Sequence, residues 1–119
     1  AMDNAGIEYD ESSIIYGDYW RDIPRQIALD IANGKIEKPD GIICGNDIMA
    51  VEVCRTLIGN GVKVPEDVKV TGCDGSIISQ TERLLYQVNP SLMVCFLSET
   101  YLVLSVKMLQ VKHFLLNLL

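Results

Sequence analysis

The sequence predicts an α/β fold: a parallel sheet flanked by helices in three layers. Three observations carry this expectation. Short apolar runs alternate with segments whose apolar residues recur every three to four positions. The links between them are short and polar, with glycine stops at Gly34 and Gly61. The run Gly41-Ile42-Ile43-Cys44-Gly45 is continuously apolar rather than alternating, the pattern of a strand covered on both faces. Strand, helix, strand, helix, strand with short links builds a parallel sheet through right-handed crossovers.

The elements follow in order. Met2-Asp3-Asn4-Ala5-Gly6 has the form of a last helical turn closed by glycine, so the chain is expected to start mid-domain. Ser13 to Tyr16 reads as a short strand ending in Gly17-Asp18. A helix from about Trp20 to Asn33 carries Pro24 in its first turn and Ile23, Ile27 and Ile31 on one face. Gly41 to Gly45 is the second strand. Asn46 or Asp47 caps the next helix, whose apolar face is Ala50, Val53, Cys54, Leu57 and Ile58. Val68 to Cys73 is the third strand. Beyond Gly75 the pattern loosens: a short helix to Arg83, a turn at Asn89-Pro90-Ser91, a strand at Leu92 to Leu97, and a helix from Ser98-Glu99 to about Leu116.

Composition narrows the function. The chain has 119 residues, 49% of them hydrophobic, which suits one domain or part of a larger one. A net charge of −6 and the lack of any basic run exclude this segment as a nucleic-acid binder. The four cysteines, at 44, 54, 73 and 95, form no CxxC pair and read as buried free thiols of a reducing, cytoplasmic compartment. One histidine, His113, offers neither a zinc cluster nor a catalytic triad, and no phosphate-binding glycine loop is present, so no enzyme, metal or cofactor is expected. The apolar stretch from Leu92 to Leu119 is broken by Glu99, Lys107 and Lys112, which argues against a membrane span.

Three strands end in polar or aromatic groups: Gly17-Asp18-Tyr19-Trp20, Gly45-Asn46-Asp47 and Cys73-Asp74-Gly75. Parallel strands bring such ends to one edge, where open α/β sheets bind ligands. An aromatic ring, an amide and a carboxylate together suit the hydroxyls and C–H face of a sugar. Each also has a structural reading. Asn46 and Asp47 are helix-capping types, Asp74-Gly75 is a turn pair, and Tyr19 and Trp20 are core or surface aromatics.

The run Lys38-Pro39-Asp40-Gly41-Ile42-Ile43-Cys44-Gly45-Asn46-Asp47-Ile48-Met49-Ala50, followed by Val64-Pro65-Glu66-Asp67-Val68-Lys69-Val70-Thr71-Gly72-Cys73-Asp74, resembles the effector-binding core of the lactose-repressor (LacI/GalR) family. The likeness covers about residues 1–75. It implies a periplasmic-binding-protein-like type I fold in which two α/β subdomains clamp a small effector, and it makes Tyr19, Asn46 and Asp74 the ligand residues and Asp47 mainly a cap. Residues 1–91 would be the C-terminal subdomain. Residues 92–119 would be a crossover strand and a helix returning to an N-terminal subdomain that this chain lacks. Operator DNA would be bound only through a headpiece absent here. The uncovered returning helix would drive self-association through residues 92–119. The resemblance implies a non-catalytic sensor of a sugar or nucleoside. A solute-binding protein of a sugar transporter and a flavodoxin-like or receiver domain are the alternatives.

Overall fold

The computed structural model describes residues 6, 8–72 and, for the backbone alone, 114–117. After a one-turn 3-10 helix at Glu11–Ser13 come β1 (Ile14–Ile15), α1 (Asp22–Ala32), β2 (Gly41–Cys44), α2 (Asp47–Gly59), β3 (Lys69–Thr71) and β4 (Phe114–Asn117). The strands form one parallel sheet in the order β1-β4-β2-β3. The parallel sheet expected from the sequence is present, and β1, α1, β2, α2 and β3 fall within the predicted segments.

α1 and α2 lie on the same face. Both crossovers run in the same direction across the sheet, and right-handed connections then place their helices together. Ile27 and Ile31 of α1 meet Ala50, Val53, Cys54 and Leu57 of α2 over Ile42, Cys44 and Val70 in one buried cluster. Ile23 packs at its margin. The opposite face is covered too. Ile43 and Thr71 are register partners pointing away from that cluster by strand alternation, and both are buried. All four residues of β2 are buried, as its unbroken apolar run requires.

Helix ends follow local chemistry. Gly34 (φ +74°) and Gly61 (φ +83°) supply the left-handed backbone just past α1 and α2. Ile58 departs from the expected apolar face and is exposed, because α2 turns its Met49–Val53–Leu57 side inward. Gly72 has a packing reason: a Cβ there would overlap the Asp47 carboxylate and lie 3.0 Å from the Ala50 Cβ.

One difference is large. The helix expected to run to about Leu116 does not extend over Phe114–Asn117, which form a central strand hydrogen-bonded to β1 and β2 on its two sides. An apolar Phe-Leu-Leu run fits a sheet interior as well as a helix face, and periodicity over so few residues does not separate the two. The expected starting helical turn, the strand at 92–97 and the rest of the 98–116 helix lie outside the described residues, as do Cys73, Cys95 and His113.

Candidate functional site

The carboxyl ends of β1 and β2 carry the candidate site. β1 leads into Tyr16 and a tight turn, Gly17-Asp18-Tyr19-Trp20, closed by the Trp20 N–H donating to the Gly17 carbonyl at 3.3 Å. Asp18 and Tyr19 both have φ of +52°. Two successive positive φ values define a type I′ turn, a conformation that glycine and asparagine fill readily and tyrosine does not. Backbone held this way is strained and persists only where its surroundings impose it. Tyr16, Tyr19 and Trp20 are 64%, 39% and 57% exposed, so the turn presents aromatic surface to solvent.

Asn46 is what ties this turn to β2. Its backbone is extended (φ −148°, ψ 172°), and its Oδ1 accepts from the Met49 N–H at 2.8 Å, the geometry of a helix N-cap. Its Nδ2 donates to the Tyr19 carbonyl at 3.1 Å. The cap of α2 is therefore Asn46, and Asp47, expected as the cap, is the buried first residue of the helix. An Asn amide has two donor hydrogens and two acceptor lone pairs, so one of each is left after these bonds.

The other side of the turn is anchored by a cluster that sequence patterning did not reveal. Glu52, its side chain 3% exposed, accepts from Arg25 Nε at 2.7 Å and pairs with Arg55 Nη1 at 3.4 Å and Arg21 Nη1 at 3.7 Å. Arg21 directly follows Trp20, so the ion pairs hold the start of α1 against α2. Donating to the Glu52 carboxylate raises the Arg25 guanidinium above its ordinary value. A glutamate inside a helix normally reads as solvent-facing. The one sequence signal was its spacing of three from Arg55.

Of the three predicted site residues, the structure brings Tyr19 and Asn46 together, and Asp74 lies outside the described residues. Trp20 shares the turn and is more exposed than Tyr19. Thr71, last residue of β3, has a fully buried hydroxyl with no hydrogen-bond partner among the described residues. Cys44 and Cys54 are free and buried. Burial pushes the Cys54 thiol up to about 12 and the Cys44 thiol well above its ordinary value. Among the described residues, no group of three His, Cys, Asp or Glu could hold a metal ion, and no helix is long and apolar enough to cross a membrane.

A family model described as periplasmic binding protein-like domain matches residues 5–88. The chain belongs to this family. Its relatives within the periplasmic binding protein-like family are LacI-type transcriptional regulators, as the resemblance implied. The chain is 33% identical over 76 residues to the HTH-type transcriptional regulator CelR of Thermobifida fusca, covering 64% of this chain and 22% of that one. It is 39% identical over 77 residues to the HTH-type transcriptional repressor PurR of Photobacterium profundum, covering 62% and 22%. The chain thus spans about a fifth of the length of these relatives. The fold is shared with a solved CelR–cellobiose complex, at TM-score 0.55 and 22% identity over 100% of this chain and 36% of that one. It is also shared with a LacI-type regulator from Bifidobacterium animalis subsp. lactis, at TM-score 0.53 and 21% identity over 98% and 43%. The solute-binding-protein and flavodoxin-like readings are not favoured, since these relatives are named as transcriptional regulators.

Proposed function

We propose that this chain is part of the effector-sensing domain of a LacI-type transcriptional regulator and binds a small neutral sugar or nucleoside without catalysis. The observation that supports it most is the Asn46–Tyr19 bond: a strained aromatic turn and a half-satisfied amide, from two different strands, held together at the carboxyl edge of a parallel sheet. Tyr19 covers the ring face of the ligand, Asn46 hydrogen-bonds a hydroxyl, and Asp74 accepts from neighbouring hydroxyls. Effector binding shifts the regulator between two states through its different affinity for each. The whole regulator works in the cytoplasm, meets operator DNA through a headpiece outside this chain, and self-associates through residues 92–119. The solved relative in complex with cellobiose makes a neutral sugar the first probe.

Calorimetric titration of the intact regulator with a panel of mono- and disaccharides and nucleosides tests this. Asp74→Ala is expected to weaken binding of the recognised compound by about 2–3 kcal/mol, the loss of a charged hydrogen-bond acceptor. An unchanged isotherm would remove Asp74 from the site, and no binding by any neutral polyhydroxyl compound would overturn the reading.

A further inference from the structure

Two supports of the Gly17–Trp20 turn come from the same helix. Asn46, the cap of α2, donates to the Tyr19 carbonyl at 3.1 Å. Glu52, on the next turn of α2, pairs at 3.7 Å with Arg21, the residue after Trp20. Local chemistry favours neither partner of this pair. Arg21 is the N-cap of α1 and makes no side-chain capping bond. Ser, Thr, Asp and Asn cap helices, and a cation at a helix start opposes the helix dipole. The Glu52 side chain is 3% exposed. An apolar residue of similar size often serves such a place with equal or better stability, so stability alone does not account for a glutamate. Arg25 Nε at 2.7 Å and Arg55 Nη1 at 3.4 Å already balance its charge. The Arg21 pair is additional, and it is the one that reaches the turn. Arg21 and Arg25 stand one helical turn apart, so both face Glu52. With one partner buried, the pair is screened less than a surface pair.

We propose that Glu52 is a positioning residue of the effector site. Through Arg21 it fixes the start of α1, and together with Asn46 it keeps Asp18 and Tyr19 in left-handed backbone. Without the Arg21 pair the strained turn relaxes, because tyrosine is more stable at negative φ. Tyr19 and Trp20 then lose their fixed place at the edge. A ligand must order them again on binding, which lowers affinity. The inference rests on the proposed effector-binding function and adds to that site a residue that acts from the helical core without touching the ligand.

Trp20 is the one tryptophan of the 119-residue chain, so its fluorescence reports on the turn directly. The test compares Glu52→Gln, Arg21→Gln and the double variant with the unaltered protein. Fluorescence anisotropy of Trp20 is read in the full 119-residue chain, and calorimetric titration with cellobiose, glucose, galactose and inosine in the intact regulator. Each single variant is expected to lower the anisotropy at unchanged far-UV circular dichroism. Each is expected to weaken whichever compound binds about tenfold. The double variant adds nothing further, since both changes remove one interaction. If Glu52→Gln unfolds, Arg21→Gln alone decides, because it leaves Glu52 paired with Arg25 and Arg55. A lowered thermal midpoint with unchanged anisotropy and unchanged affinity overturns the inference and keeps the function: Glu52 then only holds the helices together. Lowered anisotropy with unchanged affinity also overturns it. No binding of any of the four compounds by the unaltered regulator removes the function, and with it the role of Glu52 in recognition.

Discussion

The helical face and the carboxyl edge of the sheet are built by opposite rules. Between α1 and α2 apolar side chains interlock, and the buried Glu52 carboxylate has three guanidiniums. At the edge, two non-glycine residues sit in left-handed backbone, three aromatics face solvent, and Asn46 keeps spare hydrogen-bonding capacity. The first arrangement maximises stability. The second spends some of it to hold recognition chemistry in place, and it can do so because its anchors, the α2 cap and the Arg21–Glu52 pair, belong to the stable face.

Substitutions separate the two regions. Leu57→Ala, in the centre of the buried cluster, is expected to cost about 3–4 kcal/mol in chemical denaturation while leaving ligand chemistry untouched. Gly72→Ala forces β3 away from the start of α2 and should cost about 2–3 kcal/mol; a neutral result would show that the close approach of Gly72 to Asp47 relaxes freely.

Alkaline pH probes the same sealed face without mutation. The Cys54 thiol is raised from 9.0 to about 12 in the folded chain, so the unfolded chain loses its proton first. Stability is complete below about pH 9 and falls as pH climbs toward 12, by roughly 2 kcal/mol at about pH 10.5. Cys44, shifted in the same direction, adds to the loss. A flat stability profile from pH 8 to 10.5 would mean that water reaches these thiols.

Effects at the edge are smaller on stability and larger on recognition. Asn46→Ala loses the α2 cap and the tie to Tyr19, about 1 kcal/mol, measured as a lowered thermal midpoint. Trp20→Ala, at an exposed position, should stay within about 0.5 kcal/mol of the parent while weakening ligand binding. If Trp20→Ala destabilises as much as Leu57→Ala does, the contrast between the two regions fails.

Much of the first of these regions was legible in the residues. The Ile23-Ile27-Ile31 spacing, the Ala50-Val53-Cys54-Leu57 face and the stops at Gly34 and Gly61 are local signals, and each led to the element observed. The edge was legible only as a recurrence of polar groups at strand ends. Which of Asn46 and Asp47 would cap was not, because both side chains suit the position and the choice depends on where the chain bends into the helix.

The sequence by itself determined the βαβ order, the parallel sheet and the place of Tyr19 and Asn46 at its carboxyl edge. These follow from hydrophobic period and turn chemistry, which act over a few residues. Tertiary structure alone decided that Glu52 is buried among Arg21, Arg25 and Arg55, that the Tyr19 carbonyl meets Asn46, and that Phe114–Asn117 lies between β1 and β2. Each joins groups far apart in the chain or on different elements. No local pattern encodes which distant charge or strand will satisfy a buried carboxylate or an open ladder; only the packed chain brings the partners within hydrogen-bonding reach.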